Sequence, residues 1–98
     1  MVIPGSPVPQ EVSDELRRVV ERWHQMPLDH ALSSVPGLRA VVEALAGEPV
    51  ADLGPAVLMD QLTVMVHDTC CDAVESGRTQ GWPGQLTGQL AGLRRSLL

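Results

Sequence analysis

Pro55-Ala-Val-Leu-Met-Asp-Gln-Leu-Thr-Val-Met-Val-His-Asp-Thr-Cys-Cys-Asp-Ala-Val-Glu-Ser-Gly77 is the stretch that decides the fold. It opens with proline and closes with glycine, and no residue between them breaks a helix. Proline is preset for a first helical turn, and glycine tolerates the left-handed residue after a last one. The spacing therefore predicts one long α-helix over about residues 55–76. At ~1.5 Å per residue such a helix spans ~30 Å, the width of a small domain. The rest of a 98-residue chain is expected to pack around it as a single bundle.

On a helical wheel the main apolar face of this helix carries Leu58, Met59, Leu62, Met65, Val66, Cys70 and Ala73. Asp60, His67, Asp68, Asp72 and Glu75 lie on the other side. A thin second stripe, Val57, Val64 and Cys71, interrupts that polar side at a spacing of seven. Two apolar faces on one helix call for packing on two sides. The second side is met either by another helix of this chain or by a symmetry mate in a dimer.

Outward from this helix, residues 1–9 hold three prolines and a glycine and read as a flexible lead-in, leaving 10–98 as one helical domain. Val12, Leu16, Val19, Val20 and Trp23 form one apolar stripe, predicting a first helix from about Pro9 or Ser13 to Gln25. Asp14 and Glu15 fall in its first turn and Arg22 near its last, as the helix dipole prefers. A short helical segment follows, with Asp29 as its cap and Ala31 and Leu32 inward. Val35-Pro36-Gly37 then predicts a corner, and Leu38, Val41, Val42 and Leu45 a third helix stopped at Gly47. Trp82-Pro83 introduces the last helix, with Leu86, Leu90, Leu93 and Leu97 on one face. Gly84, Gly88 and Gly92 recur every four residues along it. An interior glycine costs ~0.8–1 kcal/mol against alanine, so a shared glycine face predicts a backbone packed close to it. The fold class is thus all-α, a bundle of four to five helices with one long central helix.

Composition sets the chemical limits. Lys, Asn, Phe and Tyr are missing and Ile occurs once. All five have AT-rich codons, so their scarcity reads as the imprint of a high-GC genome, expected to be bacterial. Without lysine there is no Schiff-base amine and no P-loop lysine; without tyrosine there is no phenolic acid. Net charge is −5 and the seven arginines are spread along the chain, so the basic footprint that nucleic acid requires is missing. The N-terminus lacks the charged and apolar regions of a signal peptide, and the charged residues of the long helix exclude a membrane span. The expected location is cytoplasmic, with Cys70 and Cys71 reduced.

His67-Asp68-Thr69-Cys70-Cys71-Asp72 is the one dense group of metal-ligand residue types. His67 and Cys71 sit one turn apart and project together, which suits two positions of a zinc site. A structural zinc site needs four ligands, and the chain has no Cys-x-x-Cys pair to complete one. The same pair could be written as a Cys-His dyad, but no orienting group or oxyanion donor accompanies it. No enzyme, metal or cofactor is therefore expected.

Three short stretches are similar to known families. Asp52-Leu53-Gly54, followed by Leu58 and a helix, resembles the start of the second helix of acyl carrier proteins. Val57 stands where that family carries its phosphopantetheine serine, so the attachment chemistry is absent. Trp82-Pro83-Gly84 is similar to the Trp-x-Gly turn of the small secreted helical-hairpin proteins of actinobacteria, in which the turn is central rather than near the C-terminus. Leu28 to Ala46 loosely resembles a helix-turn-helix, whose recognition helix would offer only Arg39 beside Glu43. None of the three covers enough of the chain to assign a family.

The reading that remains is a small interaction or regulatory protein, a homodimer or a binder of another protein, that presents an apolar helical surface. Its candidate interface residues are Val57, Val64, Cys71, Gly84, Gly88 and Gly92. The alternative is a small-ligand- or metal-binding helical domain using His67 and Cys71.

Overall fold

A computed structural model describes residues 8–77 and 81–97; the predicted lead-in, apart from Val8 and Pro9, lies outside the described residues. Among these the protein is all-helical. Its four α-helices are α1 (Gln10–Gln25), α2 (Leu28–Ala46), α3 (Leu58–Glu75) and α4 (Trp82–Ser96). A single 3-10 turn, Pro55–Val57, leads into α3, so the predicted 55–76 helix is a tight entry turn followed by 18 α-helical residues.

The α1 boundary is set by Pro9, extended at φ −60° and ψ 151°, and by Met26 before Pro27. A residue preceding proline is pushed out of the helical region, which ends α1 there. Because the helix begins at Gln10, its first-turn acid is Glu11. Glu15 lies a turn further in and is buried, a correction to its predicted place at the helix start.

The largest departure from the sequence reading is α2. It runs unbroken through Pro36-Gly37, where a corner and two separate helices were predicted. Proline lacks the N–H that would bond the carbonyl four residues back, and normally kinks or ends a helix. Burial on either side of the proline opposes that penalty: Ala31 before it, and Leu38 and Val42 after it, all enter the core. Leu32, predicted inward beside Ala31, is instead 49% exposed, and Asp29 also differs from expectation. The residue before the helix is Pro27, and the Asp29 carboxylate accepts from the His30 N–H at 3.0 Å within the first turn. The C-terminus follows prediction, with Gly47 left-handed at φ 75° and its N–H donating to the Glu43 carbonyl at 2.9 Å.

The core draws on all four helices: Val12, Val19 and Trp23; Ala31, Leu38 and Val42; Leu58, Met59, Leu62, Val66, Cys70 and Ala73; Trp82, Leu86, Leu90 and Leu93, with Leu97 just beyond. The helices pair, α1 against α4 and α2 against α3, and α2 also touches α4. The predicted central place of the 55–76 helix is thus met only in part: α3 packs chiefly on α2, which at 19 residues is one longer than the 18 of α3. Full burial of one Val or Leu stabilises by about 1.5–3 kcal/mol, so the apolar stripes at helical spacing hold the bundle. The linker after Gly47 folds back on α2. There Arg39 donates to the Val50 carbonyl at 2.7 Å, and the Val50 N–H donates to the Glu43 carboxylate at 3.0 Å. None of the described helices is long and apolar enough to cross a membrane.

Candidate functional site

The second stripe of α3 lies on the outside. Successive residues turn by about 100°, which places Val64 opposite Leu62, Val66 and Ala73. All three of those are fully buried, whereas Val64 is 51% exposed. Val57 and Cys71, one heptad to either side, are half-buried. Of the two coverings open to this stripe, a further helix of the chain is not found over Val64 among the described residues.

Gly84, Gly88 and Gly92 are also uncovered. A Cβ built at any of them meets no atom within 4 Å. The backbone predicted to pack against this face is absent among the described residues, a correction to the intramolecular reading of the glycine spacing. Gly84 and Gly88 are exposed and Gly92 is half-buried.

His67 and Cys71 do project together, with Cys71 Sγ 3.6 Å from His67 Nδ1. The ring is 57% exposed, and its other near neighbour is Asp68 at 4.0 Å. Among the described residues no group of three or more His, Cys, Asp and Glu side chains converges as a metal-ligand set. His24 is exposed at the end of α1 and His30 half-buried at the start of α2. Cys70, about 100° around α3 from Cys71, is fully buried. Burial, and secondarily the neighbouring Cys71, push its thiol up to about 11. At neutral pH it is a protonated core side chain rather than a nucleophile.

Among the described residues the one buried charged side chain is Glu15, 5% exposed on the core side of α1. Arg94 of α4 and Arg18 of α1 both donate to it, at 2.5 and 3.0 Å. The Arg94 hydrogen bond holds its carboxyl below the usual glutamate range, against the opposing cost of burial. Arg22 adds a second link between the same helices by donating to the Leu97 carbonyl at 3.2 Å. These arginines tie the C-terminal end of α4 to α1. Sequence reasoning missed the pair because its partners are 79 residues apart. A signal existed: Glu15 stands three residues after Val12 and four before Val19, in the apolar register of α1.

Charge is divided across the bundle. Five of the six described arginines are on α1 and α4 (Arg17, Arg18, Arg22, Arg94 and Arg95). The sixth, Arg39, is engaged by Glu43 and Asp52. Helix α3 carries Asp60, Asp68, Asp72 and Glu75 with no basic residue but His67. The uncovered stripe therefore runs along a helix that carries four carboxylates and no arginine, whereas the four carboxylates of α1 are interspersed with three arginines. Comparison with protein-family models, curated proteins and solved structures gives no match to this chain.

Proposed function

We propose that this is a small cytoplasmic interaction protein that associates through the outward stripe of α3, forming a homodimer around Val57, Val64 and Cys71. The observation that carries the proposal is Val64, a β-branched apolar residue exposed directly opposite the core face of a buried-sided helix. A single exposed valine is ordinary on a protein surface. A valine in heptad register with Val57 and Cys71 forms a seam of the kind that helix pairs bury. The glycine face of α4 is the second candidate, since it lets another chain's backbone approach without steric cost. In this reading α3 is the helix around which the assembly is organised.

Acidic residues flank the stripe, so a partner that replaces the second copy would be basic or neutral. Native mass spectrometry of the wild type and of Val64→Asp tests the proposal. A dimer that becomes a monomer with unchanged helix content supports it; a dimer that survives Val64→Asp contradicts the assignment to this stripe.

The 3.6 Å approach of His67 and Cys71 supports a second reading, a metal- or small-ligand-binding domain completed by a second chain. It predicts that zinc raises the melting temperature and that Cys71→Ser abolishes the rise. Zinc without effect on wild-type melting rejects it.

A further inference from the structure

An open cleft of about 250 Å³ lies where the C-terminal end of α2, the linker after it and the middle of α3 meet. Its apolar surface comes from Leu45, Ala46, Val50 and Met65, and its acidic edge from Glu48, Asp68 and Asp72. Leu45, Val50 and Met65 are partly buried hydrophobics at the margin of the core, so the apolar wall is part of the packed structure.

Among the described residues the edge is charged and uncompensated. The one cationic group that approaches Asp68 among the described residues is the His67 ring, at 4.0 Å, and the Asp68 side chain is 62% exposed. Among the described residues neither Glu48 nor Asp72 is paired with a cation, because nearby Arg39 is taken by Glu43 and Asp52. The remaining hydroxyl, Thr69, is satisfied by donating to the Met65 carbonyl at 2.7 Å.

We infer that this cleft receives an arginine or lysine side chain from a basic segment of a partner protein, its methylene stem lying on Leu45, Val50 and Met65 and its cationic head among Glu48, Asp68 and Asp72. The inference rests on reading the chain as an interaction protein and specifies the chemistry of its partner. Long basic side chains are matched to such a site because their stems bury against apolar surface while the charge stays in water. A second copy of this chain is the poorer occupant. Among the described arginines Arg17 faces Asp14 and Glu21, Arg18 and Arg94 share Glu15, Arg22 holds the Leu97 carbonyl and Arg39 is taken by Glu43 and Asp52. That leaves only exposed Arg95 to offer, and the chain's net charge of −5 opposes its approach to an acidic edge.

The direct test titrates the full chain with acetyl-Leu-Arg-Leu-amide, and with the same peptide carrying Glu in place of Arg, followed by amide chemical shifts. The inference expects the arginine peptide alone to shift Leu45, Val50, Met65 and Thr69, more weakly as salt is raised. Asp68→Asn combined with Asp72→Asn, both exposed and outside the core, should weaken binding by roughly 2- to 25-fold at unchanged helix content. The inference is overturned by no shift, by shifts spread equally over acidic residues of α1 such as Glu11 and Glu21, or by wild-type affinity in the double variant. Cleft shifts that follow protein concentration without peptide would assign the site to a second copy instead. Running the titration on Val64→Asp separates the two proposals. Peptide binding without any wild-type dimer refutes the homodimer alone, and a Val64-dependent dimer that ignores the peptide refutes this inference alone.

Discussion

Replacing Gly88 by alanine tests whether the glycine face of α4 is open, and its size can be worked from the structure. Gly88 lies in the middle of a 15-residue helix. Glycine there is worse than alanine by ~0.8–1 kcal/mol, chiefly because it surrenders more backbone entropy on folding. No steric cost opposes the gain, since a Cβ at this position meets nothing within 4 Å. For a domain of this size 1 kcal/mol moves Tm by about 4–8 °C. Gly88→Ala should therefore raise Tm by roughly 3–8 °C. Thermal unfolding followed by circular dichroism at low protein concentration, where the monomer dominates, is the assay. Gly84→Ala should do less, because Gly84 occupies the third residue of α4, in its frayed first turn. A lowered Tm for Gly88→Ala in dilute protein would refute the reasoning, because it would require an atom against the glycine face. Repeating the melts at high concentration adds information on association. A gain that disappears there places Gly88 inside an interface between chains.

Three further outcomes follow from particular contacts. Glu15→Gln keeps the side chain's shape but removes the charge that Arg94 and Arg18 share; because both arginine heads stay partly in water, the expected loss at neutral pH is about 1–2 kcal/mol by urea unfolding. The folded-state carboxyl of Glu15 titrates below its unfolded value, so its contribution is complete above the usual glutamate range and fades as pH falls through the lowered value. The wild type should lose stability below about pH 4 more steeply than Glu15→Gln; parallel acid limbs would contradict the pair's role. A thiol reagent at neutral pH should label half-buried Cys71 in the folded chain and reach Cys70 only on unfolding, with simultaneous labelling contradicting the burial of Cys70. Because acidic residues flank the α3 stripe, salt should strengthen homodimerisation and weaken binding of the arginine peptide, and one common salt dependence would reject the separation of the two surfaces.

The core was legible in the sequence wherever an apolar stripe kept one helical period. Val12, Val19 and Trp23 on α1, and Leu86, Leu90, Leu93 and Leu97 at the C-terminal end, are buried as their spacing implied. Glycine and proline punctuation also placed Gly47 and the entry to α4 at Trp82. The same punctuation misled at Pro36-Gly37, because local chemistry alone argues for a break there. Continuity of α2 depends on Ala31, Leu38 and Val42 finding partners in distant segments, which a local pattern cannot supply. Glu15 illustrates the limit for charges: its register marked it as inward, but its partner Arg94 is on the far end of the chain. At the candidate site the seven-residue spacing of Val57, Val64 and Cys71 was visible at once. That it would face away from the rest of the bundle was not, since only the packing of the other three helices decides which side of α3 they cover.

The claim that α3 presents an association surface is tested most directly by native mass spectrometry of wild-type protein beside Val64→Asp. The account predicts a wild-type dimer of unmodified mass and a monomeric, still helical Val64→Asp variant. A wild-type protein that stays monomeric, or a Val64→Asp protein that still dimerises, would contradict it.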